Sequence, residues 1–123
     1  MAHLATFARV YVSDIEEGIA LFSSGENPRL RFSHGSGLEL ALVGEVLILA
    51  GPPEVIEPFR STQVTVIVDD LDVAIADVAG ADGRIRRQPA HQPTGRNVTI
   101  SYANGADVEY VEWSATTRAQ VGV

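Results

Sequence analysis

The sequence contains no cysteine. This absence excludes disulfide bonds, thiolate metal ligands and cysteine nucleophiles. Long apolar runs are also missing, because none approaches the roughly 18 residues that span a membrane. The opening segment, MAHLATFARV, lacks the basic and long apolar stretches of a signal peptide. We therefore expect a cytoplasmic protein with no membrane partner.

Lysine is absent as well. The nine basic residues are all arginine, and against 16 acidic residues they leave a net charge of −7. Nucleic acid is therefore not an expected partner, because phosphate binding needs a basic face. The nearest approach to such a face is the cluster Arg84, Arg86, Arg87 and Arg96. We interpret this cluster as a solvated edge, with contact to an anionic ligand as the alternative.

The composition predicts a folded chain, because 46% of the residues are apolar and 20% are charged. A length of 123 residues suits one domain with its own core. We therefore predict a single domain over residues 1–123.

One pattern occurs twice. FARVYVSDIEEGIALF, from Phe7, aligns without a gap on QVTVIVDDLDVAIADV, from Gln63. In both copies apolar residues first alternate at a period of two, which predicts a strand. An aspartate that can cap a helix follows, and then an apolar stripe at spacings of three and four. The candidate caps are Ser13 or Asp14 in the first copy and Asp69 or Asp70 in the second.

Three short strand-like runs follow each predicted helix: RLRFS, LELALV and EVLILA, then RIRRQ, NVTISY and DVEYVEW. The fold class predicted is α+β, with two tandem βαβββ modules forming a curved mixed sheet around a concave cavity and helices on the outer face. The modules cover about residues 5–50 and 62–113. Residues 51–61, with three prolines, are predicted to be an extended, stiff linker. The tail, residues 114–123, is predicted to be frayed.

Each predicted sheet has one helix and therefore one face without a cover. That face carries Phe7, Arg9 and Tyr11 in the first module, and Gln63, Thr65 and Ile67 in the second. Two such sheets side by side would form a trough of mixed polarity, which is the usual kind of small-molecule site.

The repeat resembles the vicinal oxygen chelate superfamily, which contains glyoxalase I, the bleomycin-resistance proteins and the extradiol dioxygenases. The resemblance covers residues 5–113. Its motifs are VYVSDIEEGIALF, VIVDDLDVAIADV and the closing PTGRNVTISYANGADVEYVEW.

The resemblance implies four metal-ligand positions, which fall at Phe7, Ile48, Gln63 and Glu109. Ile48 is obtained by matching Gly44 to Gly105. Two of the four are apolar, whereas a divalent metal needs oxygen or nitrogen donors. We therefore expect no metal and no other cofactor. The three histidines, His3, His34 and His91, are each expected to be solvated loop residues.

Alternation predicts that Glu109 points into the trough together with Asp107 and Val111, and Arg9 is its candidate partner. One interpretation is a structural ion pair. The other is recognition of a ligand, or catalysis as a general base. Gln63 is likewise either a hydrogen-bonded strut or a ligand contact.

Aromatic residues could form walls of the trough. Phe7 and Tyr11 share one strand face, and Trp113 ends the last strand. The alternative is that these rings only pack inside the protein. The complete set of predicted ligand-binding residues is Phe7, Arg9, Tyr11, Ile48, Gln63, Thr65, Asp107 and Trp113.

The leading functional hypothesis is a metal-free binding protein that sequesters an aromatic or cationic small molecule. An alternative is a metal-free isomerase, cyclase or lyase with Glu109 as the base and Arg9 stabilising developing negative charge. A metal-dependent glyoxalase or dioxygenase is disfavoured by its missing ligands, and a purely structural role is a further alternative. We also expect a homodimer, because exposed sheet edges invite pairing.

Overall fold

The computed structural model of the protein describes residues 1–78 and 80–123 in full. Its elements follow the order predicted for two βαβββ modules, so the α+β class is confirmed. The first module contains β1 (His3–Val12), α1 (Ile15–Phe22), β2 (Leu30–His34), β3 (Leu38–Val43) and β4 (Val46–Ala50). The segment α2 (Pro53–Ile56) and a 3₁₀ turn (Glu57–Phe59) follow. The second module contains β5 (Thr62–Val68), α3 (Leu71–Gly80), β6 (Gly83–Gln92), β7 (Gly95–Tyr102) and β8 (Asp107–Trp113), and α4 (Ala115–Val121) ends the chain.

The chain divides into two compact units. The first unit is Phe7–Gln63, and the second unit is Met1–Thr6 together with Val64–Val123. The division falls after Gln63, within β5, and the start of β1 belongs with the second unit, while the predicted module boundaries stay a prediction. The prediction of one domain over residues 1–123 stays a prediction.

In the first unit the strand order is β2-β3-β4-β1. The β2–β3 and β3–β4 pairs are antiparallel, and β4 and β1 are parallel, with Val10 opposite Ile48. Helix α1 packs on one face of this sheet. The core there consists of Val10, Val12, Ile15, Ile19, Ala41, Val43, Val46, Ile48 and Ala50.

Helix α1 begins where the sequence predicts, because the Asp14 carboxylate accepts a hydrogen bond from the Glu17 amide at 3.1 Å. The end of its first turn lies very close to the sheet. A Cβ atom at Gly18 would lie 2.9 Å from Ile48 Cγ2 and 3.0 Å from Val12 Cγ2. Glycine therefore sets the distance between this helix and its sheet.

In the second unit the strand order is β5-β8-β7-β6, with β8–β7 and β7–β6 antiparallel. Helix α3 covers one face, capped by Asp70, which accepts hydrogen bonds from the amides of Asp72 and Val73. The core beneath α3 consists of Val64, Val66, Val68, Leu71, Ala74, Ile75, Val78, Val98, Ile100, Tyr102, Val108 and Tyr110.

Polar contacts join the first residues of the chain to the rest of the second unit. The Ala2 amide donates to Asp69 Oδ1 at 2.9 Å, and the Ala2 carbonyl accepts from the Asp69 amide at 3.2 Å. The terminal ammonium of Met1 forms an ion pair with Asp77.

The prediction of an extended linker over residues 51–61 is wrong, because most of this segment is helical. Pro53 lies in the first turn of α2, and Pro58 lies in the first turn of the 3₁₀ helix. Proline is favourable there, since the amide that it lacks would have no intrahelical partner and its φ is already helical. These prolines thus begin helices.

The prediction of a frayed tail is also wrong. Ser114 caps α4 by accepting a hydrogen bond from the Thr117 amide, and Gly122 ends the helix in the left-handed conformation at φ 85°. Thr117 and Val121 are both 6% exposed. Among the residues described, no helix combines the length and the apolar character needed to cross a bilayer.

Candidate functional site

Glu109 lies on the face of its sheet that α3 does not cover. Its neighbours Val108 and Tyr110 both pack in the core beneath α3, so alternation along β8 directs Glu109 to the opposite face, as predicted. The side chain is half-buried. Its carboxylate accepts one hydrogen bond from Thr65 Oγ1 and one from Asn97 Nδ2, each at 2.9 Å. Three strands of one sheet therefore fix the position of this carboxylate.

Asn97 was missed by the sequence analysis, although the signal was present. In the run NVTISY, the polar residues Asn97, Thr99 and Ser101 alternate with apolar ones. Thr99 lies opposite Glu109 in the β7–β8 register. The alternation of β7 thus supplies a row of polar side chains beside the predicted site.

Asp107 shares this face and is almost completely buried, with 6% of its side chain exposed. One carboxylate oxygen lies 2.6 Å from Arg86 Nη1, and the other accepts a hydrogen bond from Ser101 Oγ. Asp107 was predicted to contact a ligand, and in the structure it forms an ion pair with Arg86. A direct contact between Asp107 and a ligand stays a prediction.

Glu112 projects from the same strand to the helix side. Its Oε1 atom accepts hydrogen bonds from the Leu71 amide at 2.9 Å and from Arg96 Nη2 at 3.1 Å. The Leu71 amide and the Arg96 guanidinium hold the pKa of this carboxyl below its ordinary value. Arg96 also lies 3.5 Å from Asp72, which joins it to the start of α3.

In the first unit, Phe7, Arg9 and Tyr11 lie on the sheet face away from α1, as alternation predicts, since Val10 and Val12 pack against the helix. Phe7 is 2% exposed, with the Arg29 guanidinium 5.9 Å from its ring centre.

Tyr11 is held by its hydroxyl. That group contacts the backbone carbonyl oxygens of Phe59 and Thr62, to which it can donate, and the Arg9 guanidinium lies 5.5 Å from the ring centre. The geometry gives Tyr11 a structural role, which is to fasten the segment after the 3₁₀ turn.

Ile48 lies on the opposite face from the predicted one. It is fully buried in the core beneath α1, and its Cγ2 atom faces Gly18. The error comes from matching Gly44 to Gly105. Two residues separate the paired Val43 and Val46 in the first hairpin, whereas three lie between Tyr102 and Ala106, which are joined by a hydrogen bond, in the second. The match therefore shifts the register by one residue and exchanges the faces.

The remaining predicted residues differ in exposure. Gln63 is exposed on β5, and Thr65 is 2% exposed. Trp113 is 8% exposed at the end of β8, opposite Gly95. The predicted trough between the two modules, including the Arg9–Glu109 pair, stays a prediction.

The histidines lie in strands, so their prediction as loop residues is wrong. His3 begins β1, His34 ends β2 and His91 lies within β6. Within residues 1–78 and 80–123, no three histidine, aspartate or glutamate side chains come together as a metal-binding group. The absence of a metal cofactor stays a prediction.

A separate cleft of about 370 Å³ lies in the first unit. Its lining includes Asp14, Glu16, Arg31, Glu39 and Pro52. Arg31 forms ion pairs with both glutamates of this cleft, Glu16 and Glu39. None of the predicted ligand-binding residues lines it.

Three solved structures show what the chain is similar to. An uncharacterised protein from Methanosarcina mazei is 36% identical, with a TM-score of 0.81 and coverage of 93% of this chain and 95% of that one. Methylmalonyl-CoA epimerase from Mycobacterium tuberculosis is 18% identical, with a TM-score of 0.74 and coverage of 95% and 93%. The epimerase from Streptomyces coelicolor, in complex with 2-nitronate-propionyl-CoA, is 11% identical, with a TM-score of 0.73 and coverage of 93% and 97%.

No protein-family model matches the sequence, and no curated protein matches it. The Methanosarcina protein is a relative over nearly the whole of both chains. The epimerases share the fold. Together with the tandem βαβββ modules, these likenesses confirm the vicinal oxygen chelate fold that the sequence resemblance implies.

Proposed function

We propose that the protein binds a small organic molecule on the sheet face that carries Glu109, and that the ligand presents a cation or a hydrogen-bond donor to this carboxylate. The observation that carries the proposal is the fixed position of Glu109 between Thr65 and Asn97. An aromatic part in the same ligand would agree with the leading hypothesis from the sequence.

The energetics favour a binding role. Partial burial of a carboxylate costs free energy unless hydrogen bonds offset the loss of water. Thr65 and Asn97 are neutral donors that hold the carboxylate in a defined orientation. The core beneath α3 lies on the other face of the sheet and does not include Glu109. An oriented carboxylate on a sheet face outside this core is suited to contact a ligand.

Thermal-shift measurements with aromatic amines test the proposal, with tyramine as the first probe. We expect the melting temperature to rise with tyramine concentration, and Glu109→Gln to abolish the rise at nearly unchanged volume. Glu45→Gln, an exposed residue in a turn, is the matched control and should retain it. A rise of equal size in the Glu109→Gln variant would contradict the proposal.

A second candidate is a metal-free isomerase that moves a proton next to a carbonyl group. The orientation of Glu109 by two donors favours it, because a general base must be held within reach of its proton. The shared fold with methylmalonyl-CoA epimerases suggests a first substrate. Methylmalonyl-CoA incubated with the protein in D₂O would gain deuterium at the exchangeable carbon, and Glu109→Gln would stop the gain. No gain above the protein-free rate would leave binding as the function.

Freedom from metal is part of the proposal. Phe7 stands at a position where the resemblance implies a metal ligand, and its ring offers no donor to a divalent ion. Elemental analysis of protein purified without added ions should find substoichiometric metal. A stoichiometric metal with Gln63 and Glu109 as ligands would contradict this part.

We also propose a homodimer in the cytoplasm. The exposed apolar side chains at the end of α1 support self-association, since Leu21 is 73% and Phe22 39% exposed. Light scattering at micromolar concentration should give twice the 13.1 kDa of the chain. The mass of a single chain would contradict the dimer.

A further inference from the structure

Three arginines of β6 reach the sheet face that carries Glu109. Arg84 lies opposite Ser101, which lies opposite Asp107 on β8. Arg87 lies opposite Thr99, which lies opposite Glu109. Two rows therefore cross the sheet, and each begins at an arginine and ends at a carboxylate.

A break in the β6–β7 register brings the arginines to one face. Ile85 lies opposite Ile100, which is a core residue beneath α3. Simple alternation from Ile85 would then turn Arg87 towards the helix. The register shifts between Ile85 and Arg87, as in a β-bulge, and this returns Arg87 to the row of Thr99. A bulge re-aims side chains in this way and is common beside functional sites.

Arg86, between them, is held on the same face by Asp107. The ion pair at 2.6 Å occupies one side of its guanidinium, while 42% of the side chain remains exposed. A guanidinium has five N–H donors arranged as a fork that matches carboxylate and phosphate groups. Asp107 thus presents Arg86 in a fixed orientation.

The distances suit a small molecule that touches both ends of a row. Arg87 and Glu109 are two strands apart, which is about 10 Å between backbones. Asp107 and Glu109 are two residues apart on β8, which is about 7 Å. Elsewhere in the chain, Arg31 pairs with Glu16 and Arg60 pairs with Glu57 at the surface. Arg84 has no ion-pair partner within residues 1–78 and 80–123.

We infer that Arg84, Arg86 and Arg87 bind the anionic group, a carboxylate or a phosphate, of the same ligand whose donor or cationic group contacts Glu109. The inference rests on the proposed function for the location of the ligand and adds its second recognition element. It assigns the ligand to the class of small organic acids or phosphate esters that also carry a hydrogen-bond donor. The chain has a net charge of −7, so the three positive arginines differ in sign from the chain as a whole. They attract anions that the rest of the surface repels.

NMR titration of the full ¹⁵N-labelled chain tests this inference, with succinate and inorganic phosphate as separate probes. We expect the Nε–Hε signals of Arg84, Arg86 and Arg87 to shift and to saturate. The tighter-binding probe identifies the anion as carboxylate or phosphate.

The decisive variant is the double substitution Arg84→Gln and Arg87→Gln, which leaves the Arg86–Asp107 pair intact. It should weaken binding of the better probe by about tenfold or more. The control, Arg31→Gln with Arg60→Gln, removes the same charge elsewhere and should leave the affinity unchanged. Equal losses in the two double variants would show general electrostatics and overturn the inference, as would the absence of saturable shifts.

The Glu109→Gln variant separates this inference from the proposed function. Succinate, which is ionised at neutral pH, has no donor for Glu109, so it should bind that variant at least as well as it binds the native chain. If the arginine variant loses neither probe while tyramine still depends on Glu109, this inference fails and the proposed function stands. If the probes bind at the arginines while tyramine never binds, the proposed function fails and the anion site at the arginines stands.

Discussion

The Glu112 carboxylate accepts the amide hydrogen of Leu71, the first residue of α3, at 2.9 Å. This amide is one of those that a helix leaves without an internal partner. We expect Glu112→Ala to lower the free energy of unfolding by about 1–3 kcal/mol, because it removes a charged acceptor from this amide and from Arg96. Urea denaturation measures the loss, and Glu17→Ala, an exposed glutamate of α1, is the control.

The contribution of Glu112 should depend on pH in a definite direction. Its folded-state pKa is depressed, so the stabilisation is fully present above the ordinary glutamate pKa of about 4.3 and is lost as pH falls through the lower folded value. The stability difference between native protein and Glu112→Gln should be constant near neutrality and shrink under acid conditions. A difference that grows on acidification would contradict this account.

The packing of α1 predicts opposite effects for two helical glycines. Gly18→Ala would place a methyl group 2.9 Å from Ile48 Cγ2, and the branched neighbours have little rotamer freedom. We expect a loss of about 1–3 kcal/mol. At Gly80, in α3, the added Cβ meets nothing within 4 Å, so Gly80→Ala should stabilise by up to about 1 kcal/mol. Thermal unfolding of the two variants, side by side, checks the signs.

Tyr11→Phe should loosen the segment that follows the 3₁₀ turn. The change removes the hydroxyl that contacts the carbonyls of Phe59 and Thr62, at a cost of about 1–2 kcal/mol. Trypsin should then cleave after Arg60 faster than in the native chain, while cleavage after Arg118 keeps its rate. Unchanged cleavage at both sites would show that the hydroxyl does not hold this segment.

The tail provides a test of capping. Ser114→Ala removes the oxygen that accepts the Thr117 amide, and we expect a loss of about 1 kcal/mol. Ser61→Ala, at an exposed serine, is the control. Hydrogen exchange of the α4 amides should accelerate in the Ser114→Ala variant only. A frayed tail would instead show no protection of these amides in either variant.

The repeat made most of the fold predictable. Strands β3 and β8 match the predicted runs LELALV and DVEYVEW at both ends, and both helices begin after the aspartates proposed as caps. These features depend on local alternation and capping, which the sequence displays directly. The face of Glu109 followed from the same alternation.

What could not be predicted depends on small shifts and on context. The second hairpin has one residue more than the first, so Ile48 lies on the helix side of its sheet. A bulge in β6 places Arg87 on the sheet face away from α3. Neither change alters composition or periodicity enough to be visible in one sequence. The prolines of the linker were assigned by their usual effect, although proline also begins helices. Asn97 was missed because its partner lies on the neighbouring strand two residues out of register, and finding it requires the register as well as the pattern.

The division of β1 between two units has a consequence for synthesis on the ribosome. Residues 7–63 form the first unit by themselves, so all its strands exist before the second half of the chain has been made. Residues 1–6 leave the ribosome earlier still, yet the partner of Ala2, Asp69, is translated only after that unit is complete. Since domains generally fold as units during translation, residues 1–6 can reach their native place only after the first unit has been made.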